Sequence, residues 1–363
     1  MGRKVKFGVF ADAHVDIMHD VEERLQVFLD VCRKENVDFI VELGDFCYPD
    51  KDRKYICKEC NAPANTRDAM THKSYVNKER IVSLFKNFEK PGYHVIGNHD
   101  CDLCSKEQIL AYYGADYAPY YSFDVGGFHF VVIDNNNYVV DGKEYSYANG
   151  NYFDESYRAK KPFPYVPKGQ LAWLKNDLEK TENPTIVFSH YPLQFFTHYD
   201  VSDEVQKNSD ELMKILNEAP NGAYMSVYGH EHVDDICRIG KFWHYAINSL
   251  SNCWLGTAFA CPNRYSPEID EKFPDIKYVV PYKDAVFAII EMDEDGATVK
   301  GVKSEFVGKT PEELGKYTKK TSGWCKTQRP LIVTPNIMDR YIPFIKYKKK
   351  PESGKLSDFF FLS

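Results

Sequence analysis

No stretch of this chain is apolar for long enough to cross a bilayer. Its most apolar window, residues 284–292, falls far short of the roughly 20 residues that a spanning helix needs. The N-terminus has no apolar signal region and no small-residue cleavage site, because Met1-Gly2-Arg3-Lys4 runs directly into the alternating Val5, Phe7 and Val9. An excess of positive charge is missing too. With 46 Lys and Arg against 53 Asp and Glu, the formal net charge is −7, so nothing general draws the protein to nucleic acid or anionic lipid. These absences predict a cytoplasmic protein with no membrane partner. Disulfides are not expected either: ten cysteines in 363 residues without a signal region read as reduced thiols.

What is present suits one large α/β domain with additions, or two domains. The 26 Tyr and 24 Phe fit a large core and an aromatic-lined cleft. Short β-rich runs at 4–11, 37–43 and 93–96 alternate with helical faces made by Val21, Leu25, Phe28, Leu29 and Cys32 and by Ile81, Leu84, Phe85 and Phe88. Gly126-Gly127 predicts a hairpin between 120–125 and 128–133. A loop at 135–166 is long enough to suggest a functional role. Helices are expected after Pro167 and near 203–218, around a fully apolar strand at 185–188. Strands at 223–229, 234–247, 285–292 and 296–306 suggest a second sheet. Past 308 the pattern weakens, although Thr310-Pro311-Glu312-Glu313 is a good helix start. The basic run 346–350 and the apolar end 359–362 are expected to dock on the body, with contact to a partner as the alternative.

Five polar motifs each follow an apolar strand run: Asp12-Ala13-His14, Gly44-Asp45, Gly97-Asn98-His99-Asp100, Ser189-His190 and Gly229-His230-Glu231-His232. Residues just past the carboxyl ends of strands converge on one crevice in open α/β sheets. Two borderline cations side by side need several imidazole nitrogens, carboxylates to offset charge, and one carboxylate able to bridge; Asp45 is the expected bridge. Singly, each residue has a bland explanation: a core or surface histidine, or an asparagine stabilising a turn. Five in order, each at a strand end, point to a metal site.

The complete pattern resembles that of the calcineurin-like metallophosphoesterases, whose Asp-x-His, Gly-Asp, Gly-Asn-His-Asp/Glu, His and Gly-His-x-His motifs appear here in order over residues 5 to about 305. The resemblance implies a four-layer αββα sandwich of two mixed β-sheets flanked by helices over residues 1–307, with 308–363 as a C-terminal extension. It implies that Asp12, His14 and His232 bind one divalent metal, that Asn98, His190 and His230 bind the other, and that Asp45 bridges them. Mn, Fe or Zn suits these donors. His99 binds no metal in this scheme and acts at the leaving-group oxygen, with Asp100 orienting it. The implied reaction is hydrolysis of a phosphodiester or phosphomonoester by a metal-bridging hydroxide, between metals about 3.5–4 Å apart.

Within the same superfamily a nuclease is the alternative, but it should carry a basic track, and here Lys and Arg are scattered except in the tail. A non-catalytic scaffold is the other alternative, and the presence of all seven ligands and His99 argues against it. A small-molecule phosphate ester is therefore the expected partner. Tyr48 stands at the offset where the purple acid phosphatase branch has an iron-ligating tyrosine, but that branch lacks the histidine of Asp-x-His, so Tyr48 is expected to be a packing or pocket residue. Cys57, Cys60, Cys101 and Cys104 form two Cys-x-x-Cys units; reduced thiols are expected, with a structural zinc as the alternative. Asn135-Asn136-Asn137-Tyr138, Tyr191 and the segment 248–254 offer groups to grip a substrate. Trp254, Phe259 and Tyr265 fit a buried aromatic core as well as a stacking surface, so no particular ester is assigned.

Overall fold

The computed structural model describes residues 2–15, 17–46, 80–115, 117–153, 164–194, 206–316 and 333–346. Tyr48, Cys57, Cys60 and the apolar end at 359–362 lie outside the described residues.

Strand pairing builds two six-stranded sheets. In the first, β1 (Lys4–Phe10), β2 (Phe39–Glu42) and β3 (Gly92–His94) run parallel. On the other flank of β1 lie β14 (Ala288–Asp293), β15 (Gly296–Gly301) and β16 (Arg340–Pro343), each antiparallel to its neighbour. The second sheet starts with β4 (Tyr121–Val125) antiparallel to β5 (Phe128–Ile133). From β5 onward, β8 (Thr185–Ser189), β9 (Ala223–Tyr228) and β11 (Phe242–Ala246) continue in parallel, and β10 (Asp235–Ile239) closes the far edge antiparallel. Among the described residues, two antiparallel strand pairs stand outside these sheets: the hairpin of β6 (Asn137–Val140) with β7 (Lys143–Ser146), and β12 (Asn252–Trp254) with β13 (Val279–Pro281).

The pleat explains the layers. Side chains alternate along a strand, so β1 sends Val5, Phe7 and Val9 between the sheets, where they meet Phe39, Val41, Phe130, Val132 and Phe188. Phe7 stacks on Phe39 with centroids 4.9 Å apart, and Phe39 meets Phe130 edge-on at 5.0 Å. Burying one such ring is worth roughly 1.5–3 kcal/mol, and a good ring pair adds about 0.5–1.5 kcal/mol. The other face of β1 places Phe10 under α1 (Val21–Glu35), whose Leu25, Phe28, Leu29 and Cys32 form its apolar stripe. Gly8 permits this approach, since a Cβ there would stand 2.3 Å from Cys32 Sγ. Helical residues 80–86 (α2) and α3 (Lys106–Tyr113) share that layer through Ile81, Phe85, Ile109 and Tyr113. On the outer face of the second sheet, Val131, Ile133 and Val187 pack against Leu171, Leu174 and Leu178 of α4 (Lys168–Lys180) and Leu212 and Leu216 of α5 (Ser209–Asn217). The order is helix, sheet, sheet, helix: the expected αββα sandwich.

Several elements differ from their sequence reading. Residues 234–247 form the β10–β11 hairpin instead of one strand, because Gly240 turns the chain at a φ of +61°. The loop at 135–166 contains the β6–β7 hairpin, whose Asp141-Gly142 turn has φ of +50° and +78°, the combination a type I′ turn needs. At Thr310 the capping box forms: the Glu313 N–H donates to Thr310 Oγ1 at 3.2 Å, and the Thr310 N–H to Glu313 Oε2 at 2.8 Å. Residues 311–315 nevertheless make turns, not a continuing helix, and Gly315 leaves at a φ of +88°. In the C-terminal extension, β16 joins the first sheet beside β15. Among the described residues, no helix is long and apolar enough to cross a membrane.

Candidate metal centre

All five motifs emerge from the carboxyl ends of parallel strands: β1, β2 and β3 in the first sheet, β8 and β9 in the second. Backbone hydrogen bonds hold the motifs to one another. The Asp12 and His14 N–H groups donate to the carbonyls of Gly44 and Asp45, each at 3.0 Å, and the Gly229 N–H donates to the His190 carbonyl at 3.2 Å. Glycine is required where these turns touch. A Cβ on Gly97 would lie 2.1 Å from Asp45 Oδ1, and one on Gly229 would lie 2.8 Å from Asp12 Oδ2.

The donor atoms fall into two groups, Asp12 with His14 and His232, and Asp45 with His190 and His230, each with ligand atoms within 4.8 Å of one another and all but His230 buried. In the first, His232 Nε2 lies 3.1 Å from His14 Nε2 and 3.6 Å from Asp12 Oδ1. In the second, His190 Nε2 lies 3.3 Å from Asp45 Oδ2 and 3.0 Å from Asn98 Oδ1. The same Asp45 Oδ2 is 3.9 Å from His14 Nε2, so one carboxylate oxygen reaches toward both groups. The other oxygen, Oδ1, accepts the His99 backbone N–H at 2.8 Å.

The donor set fits divalent cations. His190 Nδ1 donates to the Leu43 carbonyl at 2.8 Å and His232 Nδ1 to the Asn252 carbonyl at 2.9 Å, which turns both Nε2 atoms toward the cluster. Burial pushes the Asp12 carboxyl well above the usual carboxylate range and holds His14 and His232 low, the latter at about 3. A dication favours the opposite form of Asp12, charged, and the same form of the histidines, neutral, so it would relieve the cost of burying these groups. Burial would also lower His190 and raise Asp45, but their mutual attraction outweighs it: His190 rises to about 10 and Asp45 falls well below its ordinary value. A cation held by the second group would compete with the proton of His190.

The family model for calcineurin-like phosphoesterases matches residues 5–234. The chain belongs to this family. Its fold is similar to that of a dimetal phosphatase from Danio rerio, at 18% identity and a TM-score of 0.57, covering 84% of this chain and 99% of that one. It is also similar to GAP50, the anchor in the inner membrane complex of Plasmodium, at 14% identity and a TM-score of 0.49, covering 96% and 91%. No match was found among curated proteins.

Seen as a member of this family, the chain brings all seven expected ligands and His99 into one region, with one correction. The carboxylate on His99 is that of Asp102, whose Oδ2 lies 2.8 Å from His99 Nδ1. Asp100, to which that role was assigned, uses Oδ2 to accept the backbone N–H groups of Asp45 and Gly97, each at 2.9 Å. It shapes the turns that carry Asp45 and Asn98. The sequence held a signal for Asp102, a second acid three residues after His99, but Asp100 was nearer.

The asparagine and serine stretches also serve differently than expected. Asn135 and Asn136 are fully buried and donate to the backbone carbonyls of Tyr191, at 3.1 Å, and Ile96, at 2.5 Å. Ser249 and Ser251 donate to the carbonyls of Asp12, at 2.7 Å, and Ala13, at 3.1 Å. These groups brace the motif loops. His99, His230 and Trp254 are partly exposed, and the His99 and Trp254 rings lie 6.5 Å apart. Cys101 and Cys104 are buried.

Proposed function

We propose that this protein is a dinuclear-metal-dependent phosphoesterase that hydrolyses a small-molecule phosphate ester, either a diester or a monoester. The observation that carries the reading is the Asp45 carboxylate, which belongs to one His/Asp group and reaches toward the other, with His99 beside it outside both groups. The Danio rerio neighbour of the same fold, a dimetal phosphatase, lends the reading support. Divalent Mn, Fe or Zn ions bound there would acidify water and neutralise charge on the phosphoryl oxygens. Asp12, His14 and His232 would hold one ion, Asn98, His190 and His230 the other, and Asp45 would reach both. His99, steadied by Asp102, assists the leaving oxygen by donating a proton or stabilising its charge. An acidic chain of net charge −7 favours a small ester over a nucleic-acid backbone.

A panel of phosphomonoesters and phosphodiesters, assayed with Mn²⁺, Fe²⁺ and Zn²⁺, tests this directly. Hydrolysis of at least one ester is expected, with loss of activity in Asp45→Asn. Inactivity toward every ester with every metal would falsify the proposal.

A further inference from the structure

The long loop at 135–166 delivers one side chain to the site that the reading above does not use. Tyr152 is 3% exposed, and its ring stacks on Tyr147 at 4.2 Å and 11°. We propose that Tyr152 is a positioning residue whose single hydroxyl links Asn98 to Asp102, setting both the metal-facing oxygen of Asn98 and the carboxylate that holds His99. This inference rests on the functional reading above.

A phenol has one proton to donate and lone pairs to accept with. The Tyr152 hydroxyl lies 2.5 Å from Asp102 Oδ1 and 3.2 Å from the Asn98 carbonyl oxygen. Both are acceptors, and the shorter, charged contact takes the proton. The phenol oxygen is then free to accept from Asn98 Nδ2, at 3.3 Å. This settles which way the amide faces: the nitrogen turns to Tyr152, and Oδ1 turns to the cluster, 3.0 Å from His190 Nε2. With the amide reversed, N–H donors would face the cation and Asn98 would be no ligand. On the far side of Asp102, Oδ2 accepts from His99 Nδ1 at 2.8 Å.

The backbone makes this chain of contacts stiff. The Asn149 and Gly150 N–H groups donate to the carbonyls of Cys104 and Cys101, each at 3.0 Å. The segment bearing Tyr152 is thus pinned to the one bearing Asp102.

Tyr152→Phe removes the hydroxyl and keeps the ring. Calorimetric titration of Mn²⁺ into metal-free wild type should show two sites, and in Tyr152→Phe one of them should weaken by about tenfold or more while the other holds. Turnover of an alkyl phosphate ester should fall more than that of a nitrophenyl ester, whose leaving group needs less help. Asp102→Asn should reproduce that leaving-group bias, and the double variant should lose little more than the worse single one, as expected for residues acting in series. A purely structural role for Tyr152 would lower both esters alike and leave both Mn²⁺ affinities unchanged. That result, with wild type binding two Mn²⁺, overturns this inference alone. Wild type that takes up none of Mn²⁺, Fe²⁺ and Zn²⁺ overturns the functional reading and this inference with it.

Discussion

At the scale of single residues, Asp12, His14, Asp45, His230 and His232 all have φ between +49° and +66°. Side chains other than glycine adopt this left-handed region at a cost of order 1–3 kcal/mol each, and Asp, Asn and His tolerate it best. The turns are held there by their mutual hydrogen bonds and by glycines that let them touch. Gly97→Ala would drive a methyl into Asp45, so the Mn²⁺ affinity of the variant should fall at least tenfold by calorimetry. His99→Ala keeps the backbone N–H that meets Asp45 and should lower turnover by about 10²–10⁴ while elemental analysis still finds the metals. Unchanged turnover would refute its role at the leaving group. The motif residues were legible because each ends an apolar run. The partner of His99 was not, since Asp100 and Asp102 differ only in where a short 3-10 turn, His99–Cys101, points them. Tyr152 lies 54 positions from Asn98, and nothing local marks it.

Among elements, parallel β1, β2, β3, β8 and β9 do most of the positioning, and their short apolar runs were readable in the sequence. The β10–β11 hairpin was not, because apolar residues continue on both sides of Gly240 and hide the turn. The joint between β5 and α4 has a titratable link: His129 Nε2 lies 2.9 Å from Asp177 Oδ2, and its Nδ1 lies 3.2 Å from Asp124 Oδ1. Burial works against the charged imidazole, but the two carboxylates prevail and raise its pKa. A raised folded value means that this link stabilises fully below the unfolded value of about 6.5 and fades as pH climbs through the folded one. Melting temperatures of wild type and His129→Gln should therefore differ most in mild acid and converge in alkali. A gap that widens with rising pH would contradict this sign.

For the whole molecule, the apolar layer between the sheets carries the fold, and the metals should add to it. Phe130→Ala, in the middle of the ring cluster, should cost about 3–5 kcal/mol in denaturant unfolding. Mn²⁺ at about a hundred times its dissociation constant should add about 2.7 kcal/mol for each site, so chelation should lower the melting temperature by several degrees. An unchanged melting curve after chelation would count against both sites. The layered architecture was legible from the order of runs, whereas the return of β16 to the first sheet was hidden by the polar stretch before it.

Each candidate site draws on both sheets: Asp12 and His14 need His232 from across the interface, and Asp45 and Asn98 need His190 and His230. Neither half of the sandwich owns a complete set of donors. During folding, a chain with one sheet formed has nothing that can grip a cation fully, and tight metal uptake must wait until the halves have closed on each other. The rate at which refolding chains capture Mn²⁺ is thus a clock for the last docking step, separate from the earlier appearance of strands and helices.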